Sequence, residues 1–88
     1  MKRRELLIEN KLGLHARAAA QIVNSASAYV SRITIAKDGL EVDGKSIMGI
    51  MMLAAAKGSV VKLKIAGKDE AQAMSTLGEL INNGFGED

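Results

Sequence analysis

Residues 13–24 run Gly-Leu-His-Ala-Arg-Ala-Ala-Ala-Gln-Ile-Val-Asn, which puts the chain's only histidine, His15, at the entrance of an Ala-rich helix with Arg17 two residues on. That is a place for an anion. The first N–H groups of a helix have no intrahelical partner, and the positive end of the macrodipole lies beside them, so a phosphate there meets both donors and favourable charge. Arg17 adds a planar guanidinium suited to phosphate oxygens. An imidazole at such a position can act as a nucleophile toward a phosphoryl donor, and the same groups would hold the phosphohistidine that results. The plainer alternative is a histidine that merely caps a turn. Against it, Arg17 at the mouth of an otherwise apolar helix contributes nothing evident to packing, and Gly13 lets the backbone turn tightly before His15.

The elements that position these residues can be read from periodicity. Residues 3–9 form a first strand around an apolar stretch at 6–8, and the Asn10-Lys11-Leu12-Gly13 turn leads to a helix over residues 16–28, with Ala19, Ile22, Val23 and Ala26 at helical spacing. Residues 32–37 and 40–43 alternate on either side of Asp38-Gly39, a hairpin signal. Ser46 is a good N-cap for a helix over residues 47–56, which Lys57-Gly58 would stop. Val61, Leu63 and Ile65 alternate with Lys62 and Lys64 in a fourth strand. Gly67-Lys68-Asp69 opens a last helix with a core stripe of Ala71, Met74, Leu77 and Ile81, ended by Asn83-Gly84, and Phe85 folds back as a plug. The order is β-α-β-β-α-β-α. Because the strands alternate rather than run uniformly apolar, the expected fold is α+β, an antiparallel sheet with one face under helices and one in water.

With 88 residues the chain makes one domain, residues 1–88, with a single modest core. Tyr29 and Phe85 are its only aromatics, five Met residues supply adaptable packing, and there is no Pro. The lack of Cys excludes disulfides, thiolate nucleophiles and sulfur-ligated metal, and fits a reducing compartment. Met1-Lys2-Arg3-Arg4 resembles the start of a secretory signal, but Glu5 and Glu9 break up the apolar stretch such a signal needs next. The longest apolar stretch, residues 47–56, is far short of the roughly 20 residues a membrane span needs. The expectation is a soluble cytoplasmic monomer with no membrane insertion. Formal net charge is only +2, so nucleic acid is not forced as a partner, and an acidic protein surface is an equal fit.

Three segments, Gly13-Leu14-His15-Ala16-Arg17, Gly44-Lys45-Ser46-Ile47-Met48 and Leu53-Ala54-Ala55-Ala56-Lys57-Gly58, resemble the HPr family, the phosphocarriers of the bacterial phosphotransferase system. The resemblance spans essentially the whole chain in the right order and spacing. It implies an open-faced two-layer β-sandwich, a four-stranded sheet in the order 1-4-2-3 with three helices on one face. It also implies that His15 is phosphorylated on Nδ1 by phospho-enzyme I and passes the phosphoryl group to a histidine of an EIIA protein, serving sugar uptake or its regulation. Arg17 would neutralise the phosphoryl oxygens, and the backbone N–H groups of Ala16 and Arg17 would hold them. Ser46 would be the serine that a dedicated HPr kinase/phosphorylase modifies in many bacteria. No cofactor or metal is implied.

The chain departs from the family pattern where Ala18 replaces the usual Pro, and Asn24, Ser27 and Gly49 stand where carbohydrate-branch members often carry Lys. The segment Leu80-Ile81-Asn82-Asn83-Gly84-Phe85-Gly86-Glu87-Asp88 is similar to that of the nitrogen-regulatory relative NPr, so the branch stays open. The helix at 47–56 is apolar nearly all round, and a four-stranded sheet covers only one stripe of it. Leu14, Ala20, Ile47, Met48 and Met51, with Ala16 beside them, are therefore the candidates for a docking face.

Two other classes share the element order. An RNA-binding module of the RRM kind stacks bases on aromatics of its open sheet face, whereas here the exposed strand positions are Arg32, Thr34, Lys62 and Lys64. A small ligand-binding regulatory domain of the ACT type explains the topology but not the pairing of His15 with Arg17. An autonomous hydrolase is disfavoured, since the sequence holds no second His and no Ser-His-Asp or metal-spaced carboxylate cluster to activate water. A carrier needs only a nucleophile, an anion cradle and a docking face.

Overall fold

In the computed structural model, which describes residues 1–87, the strands are β1 (Lys2–Leu7), β2 (Arg32–Lys37), β3 (Leu40–Asp43) and β4 (Val60–Ala66). The helices are α1 (Ala16–Ala26), α2 (Ile47–Met52) and α3 (Glu70–Asn82), followed by a 3₁₀ turn at Gly84–Gly86. The sheet order is β1-β4-β2-β3 with every pair antiparallel. Period-2 alternation divides its faces: Leu6, Ile33, Ile35, Val61, Leu63 and Ile65 are buried under the helices. The other face carries Arg3, Glu5, Arg32, Thr34, Glu41, Lys62 and Lys64, with Lys64 donating to Glu41 at 2.9 Å. No aromatic lies on it among the described residues. Phe85 is buried and Tyr29 lies in the connection between α1 and β2, so the stacking platform of an RRM is missing.

The β2–β3 hairpin turns at Asp38 and Gly39, both with positive φ (50° and 85°), the mirror-image turn whose twist matches its flanking strands. The connection from α1 into β2 is fastened by Asp69, whose carboxylate accepts from the backbone N–H of Val30 and of Ser31, each at 3.0 Å, and from the Ser31 hydroxyl. The Ser31 hydroxyl leads the causes that hold the Asp69 carboxyl below its ordinary range, with the two N–H groups adding to it against a partial cost of desolvation.

Ala19, Ile22 and Ala26 of α1 and Ile50 of α2 are completely buried, and α1 packs against both other helices. Four local expectations need correction. β1 ends at Leu7 rather than residue 9. α1 ends at Ala26 rather than residue 28, because the N–H groups of Ala28 and Tyr29 tighten onto Ser25 and Ala26. α2 stops at Met52 rather than 56. The Ala54 N–H closes onto the Met51 carbonyl at 3.1 Å and Ala54 takes φ 50°, a left-handed conformation that ends the helix and costs a non-glycine residue roughly 1–2 kcal/mol. In α3 the buried stripe runs through Ala73, Leu77, Gly78 and Ile81, with Met74 and Leu80 partly covered and Ala71 facing solvent. Phe85 is the expected plug, only 5% exposed.

Candidate active site at the start of α1

His15 is the N-cap of α1, with extended backbone (φ −73°, ψ 177°) and no side-chain capping bond. The first intrahelical bond runs from the Ala19 N–H to the His15 carbonyl at 2.9 Å. The N–H groups of Ala16, Arg17 and Ala18 therefore precede any acceptor within the helix, and the side chains of Ala16 and Arg17 face solvent. Ala18, where the family usually has Pro, is fully buried at the third helical position, where a missing N–H costs no intrahelical bond.

The loop leading to His15 is fixed from two sides. Gly13 has φ 64° and lies so close to the 53–56 loop that a Cβ on it would come within 2.3 Å of the Ala55 carbonyl oxygen. The neighbouring Leu14 N–H donates to that same carbonyl at 2.9 Å. The early end of α2 thus has a consequence at the site: residues 53–56, freed from the helix, hold the loop that presents His15. From the other side the Asn10 side chain, only 3% exposed, donates to the Gly13 carbonyl at 2.7 Å.

Sequence reading missed two residues here. The Asn10 amide also donates to Glu87 Oε1 at 3.1 Å, and Glu87 Oε2 meets His15 Nε2 at 2.6 Å. The Asn10 amide and the His15 ring, in that order, hold the Glu87 carboxyl below the usual carboxylate range by hydrogen bonding, helped by the charge of Arg17 and opposed by partial desolvation. Asn10 looked like an ordinary turn residue, and nothing in the sequence links it to a glutamate 77 positions away.

Ser46 caps α2 as expected, its hydroxyl accepting from the Gly49 N–H at 3.1 Å. Ile47, Met48, Met51 and Met52 are exposed, Met48 most of all at 76%. Ala20 is half-buried beside them on α1. Leu14 is a correction: it is 6% exposed and belongs to the core, turned inward by its backbone bond to Ala55. Leu12, 69% exposed in the same loop, is the apolar residue offered to solvent instead. Ser46 and Met52 stand at opposite ends of α2, about 9 Å of helix apart, and the Met52 end continues into the 53–56 loop that holds Gly13 and Leu14. Among the described residues no cluster of His, Cys, Asp and Glu could hold a metal ion, and no helix is long and apolar enough to cross a membrane.

Comparison with known proteins agrees with this geometry. Residues 2–83 match the family model described as "PTS HPr component phosphorylation site". Phosphocarrier protein HPr of Xylella fastidiosa (strain 9a5c) is 50% identical over 88 residues, covering 100% of this chain and 99% of the relative. A crystal structure of HPr-C-His from Thermoanaerobacter tengcongensis superposes with a TM-score of 0.96 at 49% identity, covering 100% of this chain and 99% of that one. A second crystal structure, of an HPr dimer from the same organism, has a TM-score of 0.79 at 49% identity and covers 99% of this chain and 100% of that one.

Proposed function

The chain belongs to the HPr family and is a phosphocarrier of the phosphotransferase system, and from that premise we propose that Nδ1 of His15 is the atom that carries the phosphoryl group. The observation behind this is the two-sided state of the ring. An ionised carboxylate only accepts hydrogen bonds, so the proton between Glu87 Oε2 and His15 Nε2 belongs to the imidazole. In the neutral ring the lone pair is then on Nδ1.

Phosphoryl transfer from a phosphohistidine of enzyme I proceeds by attack of that lone pair on phosphorus as the donor P–N bond breaks. The free N–H groups of Ala16 and Arg17, the helix dipole and the Arg17 guanidinium serve as the cradle for the phosphoryl oxygens. Transfer onward to an EIIA histidine is the same step reversed on a new acceptor. The protein acts as a carrier rather than an autonomous enzyme.

For docking, the reading uses Ile47, Met48 and Met51 with Ala16 and Ala20, extended by Met52 and Leu12. Adaptable thioethers around an apolar centre suit a carrier that must fit more than one partner in turn. Ser46 as a site of regulatory phosphorylation by an HPr kinase/phosphorylase rests on family resemblance, and its capping bond is reason enough for a serine there. The proposed state is a monomer in the cytoplasm, with all six residues of β1 paired to its own β4.

The test is incubation with enzyme I, phosphoenolpyruvate and Mg²⁺. The native protein should gain one phosphoryl group, and His15→Ala should gain none while keeping its circular dichroism spectrum. Labelling that persists in His15→Ala would end the assignment.

A further inference from the structure

Asn10 is buried, and its Nδ2 serves both the Gly13 carbonyl and Glu87, while among the described residues its Oδ1 has no hydrogen-bond partner. A buried acceptor without a partner costs stability, and an apolar residue would avoid that cost. The donor side of the amide is therefore what the position uses. Glu87 is itself held in place: its backbone N–H donates to the Gly84 carbonyl at 3.0 Å, and Phe85, two residues earlier, is buried with φ 61°. Gly84 backs directly onto Asn10, leaving van der Waals room and no more. The three side chains Asn10, Glu87 and His15 thus form one line of hydrogen bonds running from the interior to the reacting ring.

Building on the His15 reading, we propose that Glu87, oriented by Asn10, is a positioning residue for phosphoryl transfer, selecting Nδ1 as the nucleophile and stabilising the ring once it is phosphorylated. When Nδ1 attacks, a P–Nδ1 bond forms, the donor P–N bond breaks, and its electron pair stays on the donor nitrogen. No proton leaves Nε2. The imidazole of His15 therefore becomes cationic as it accepts the phosphoryl group, and the Glu87 carboxylate lies 2.6 Å from the nitrogen that shares this charge. A charge-assisted bond strengthens as that charge develops, so Glu87 favours the phosphorylated ring and Asn10 keeps the carboxylate aimed at it. Glu87 lies outside the residues 2–83 matched by the family model, so this contribution comes from a segment beyond that span.

The experiment compares the native protein with Glu87→Ala, Glu87→Gln and Asn10→Ala. Proton NMR should show a downfield, exchange-protected His15 Nε2–H in the native protein. That signal should vanish in Glu87→Ala and return in Glu87→Gln, whose amide oxygen still accepts. Phosphoryl uptake from phospho-enzyme I should slow about tenfold in Glu87→Ala, as loss of one charge-assisted bond predicts, and recover in part in Glu87→Gln. Asn10→Ala should fall between; if it does not fold, the two Glu87 variants decide alone. An unchanged Nε2–H signal with uptake within about twofold of native in Glu87→Ala would overturn the proposal. With phosphate still mapped to His15, that result would leave the carrier assignment standing. Phosphate mapped to another residue in the native protein would remove both.

Discussion

At the scale of single residues, the proposed mechanism divides the work between groups that touch the phosphoryl oxygens and groups that hold the ring. Arg17 belongs to the first. Replacing it by Glu sets a like charge against the incoming phosphoryl group, and loss of a preorganised donor at such a site costs on the order of hundredfold in rate. Arg17→Glu should slow uptake from phospho-enzyme I by about that factor in rapid-quench measurements, with the label still on His15; an unchanged rate would remove Arg17 from the site. The sequence singles out His15 and Arg17 because their proposed meaning is local: a nucleophile and a cation within one turn of a helix start. It does not single out Asn10 and Glu87, because their meaning exists only once residues 77 positions apart share a hydrogen bond. Leu14 misled for a related reason. The sequence groups it with the candidate docking face, while its backbone bond to Ala55 accompanies a side chain buried in the core.

At the scale of elements, α2 shows where propensity loses to tertiary structure. Leu53-Ala54-Ala55-Ala56 is a strong helix-forming run, yet the chain leaves the helix at Met52, Ala54 turns left-handed, and the Ala55 carbonyl that follows accepts from Leu14. The hairpin, by contrast, was legible to the residue, since Asp38-Gly39 demands one kind of turn and one register. The cap of α2 makes capping and charge separable. Ser46→Ala should cost about 1 kcal/mol in urea unfolding, because the Gly49 N–H loses its acceptor. Ser46→Asp preserves an acceptor of similar quality, so it should hold stability near native while slowing transfer through negative charge beside the exposed methionines. A Ser46→Asp variant that is destabilised as much as Ser46→Ala would mean that the position matters only as a cap.

At the scale of the molecule, the sheet order β1-β4-β2-β3 brings α1 beside α2 and places the segment 84–87 against the His15 loop. Fold class and strand order follow from alternation and family resemblance. The folding back of residues 84–87 was visible only as an apolar Phe85 in an otherwise polar stretch. Closure of the fold around Asp69 gives a pH signature. Its carboxyl is held below the ordinary value, so its stabilisation is fully present above the unfolded pKa of ~3.9 and is lost as pH falls through the lower folded value. The stability difference between the native protein and Asp69→Asn should therefore be constant from neutral pH down to about 5 and shrink below about 4. A gap that widens in acid would reverse the sign assigned to that carboxylate. The central claim, that this molecule carries a phosphoryl group on His15, is tested most directly by intact-protein mass after incubation with enzyme I, phosphoenolpyruvate and Mg²⁺, before and after brief acid treatment. A gain of one phosphoryl mass that acid removes is the predicted result, because phosphohistidine is acid-labile. No gain, or a gain that survives acid as phosphoserine does, would contradict it.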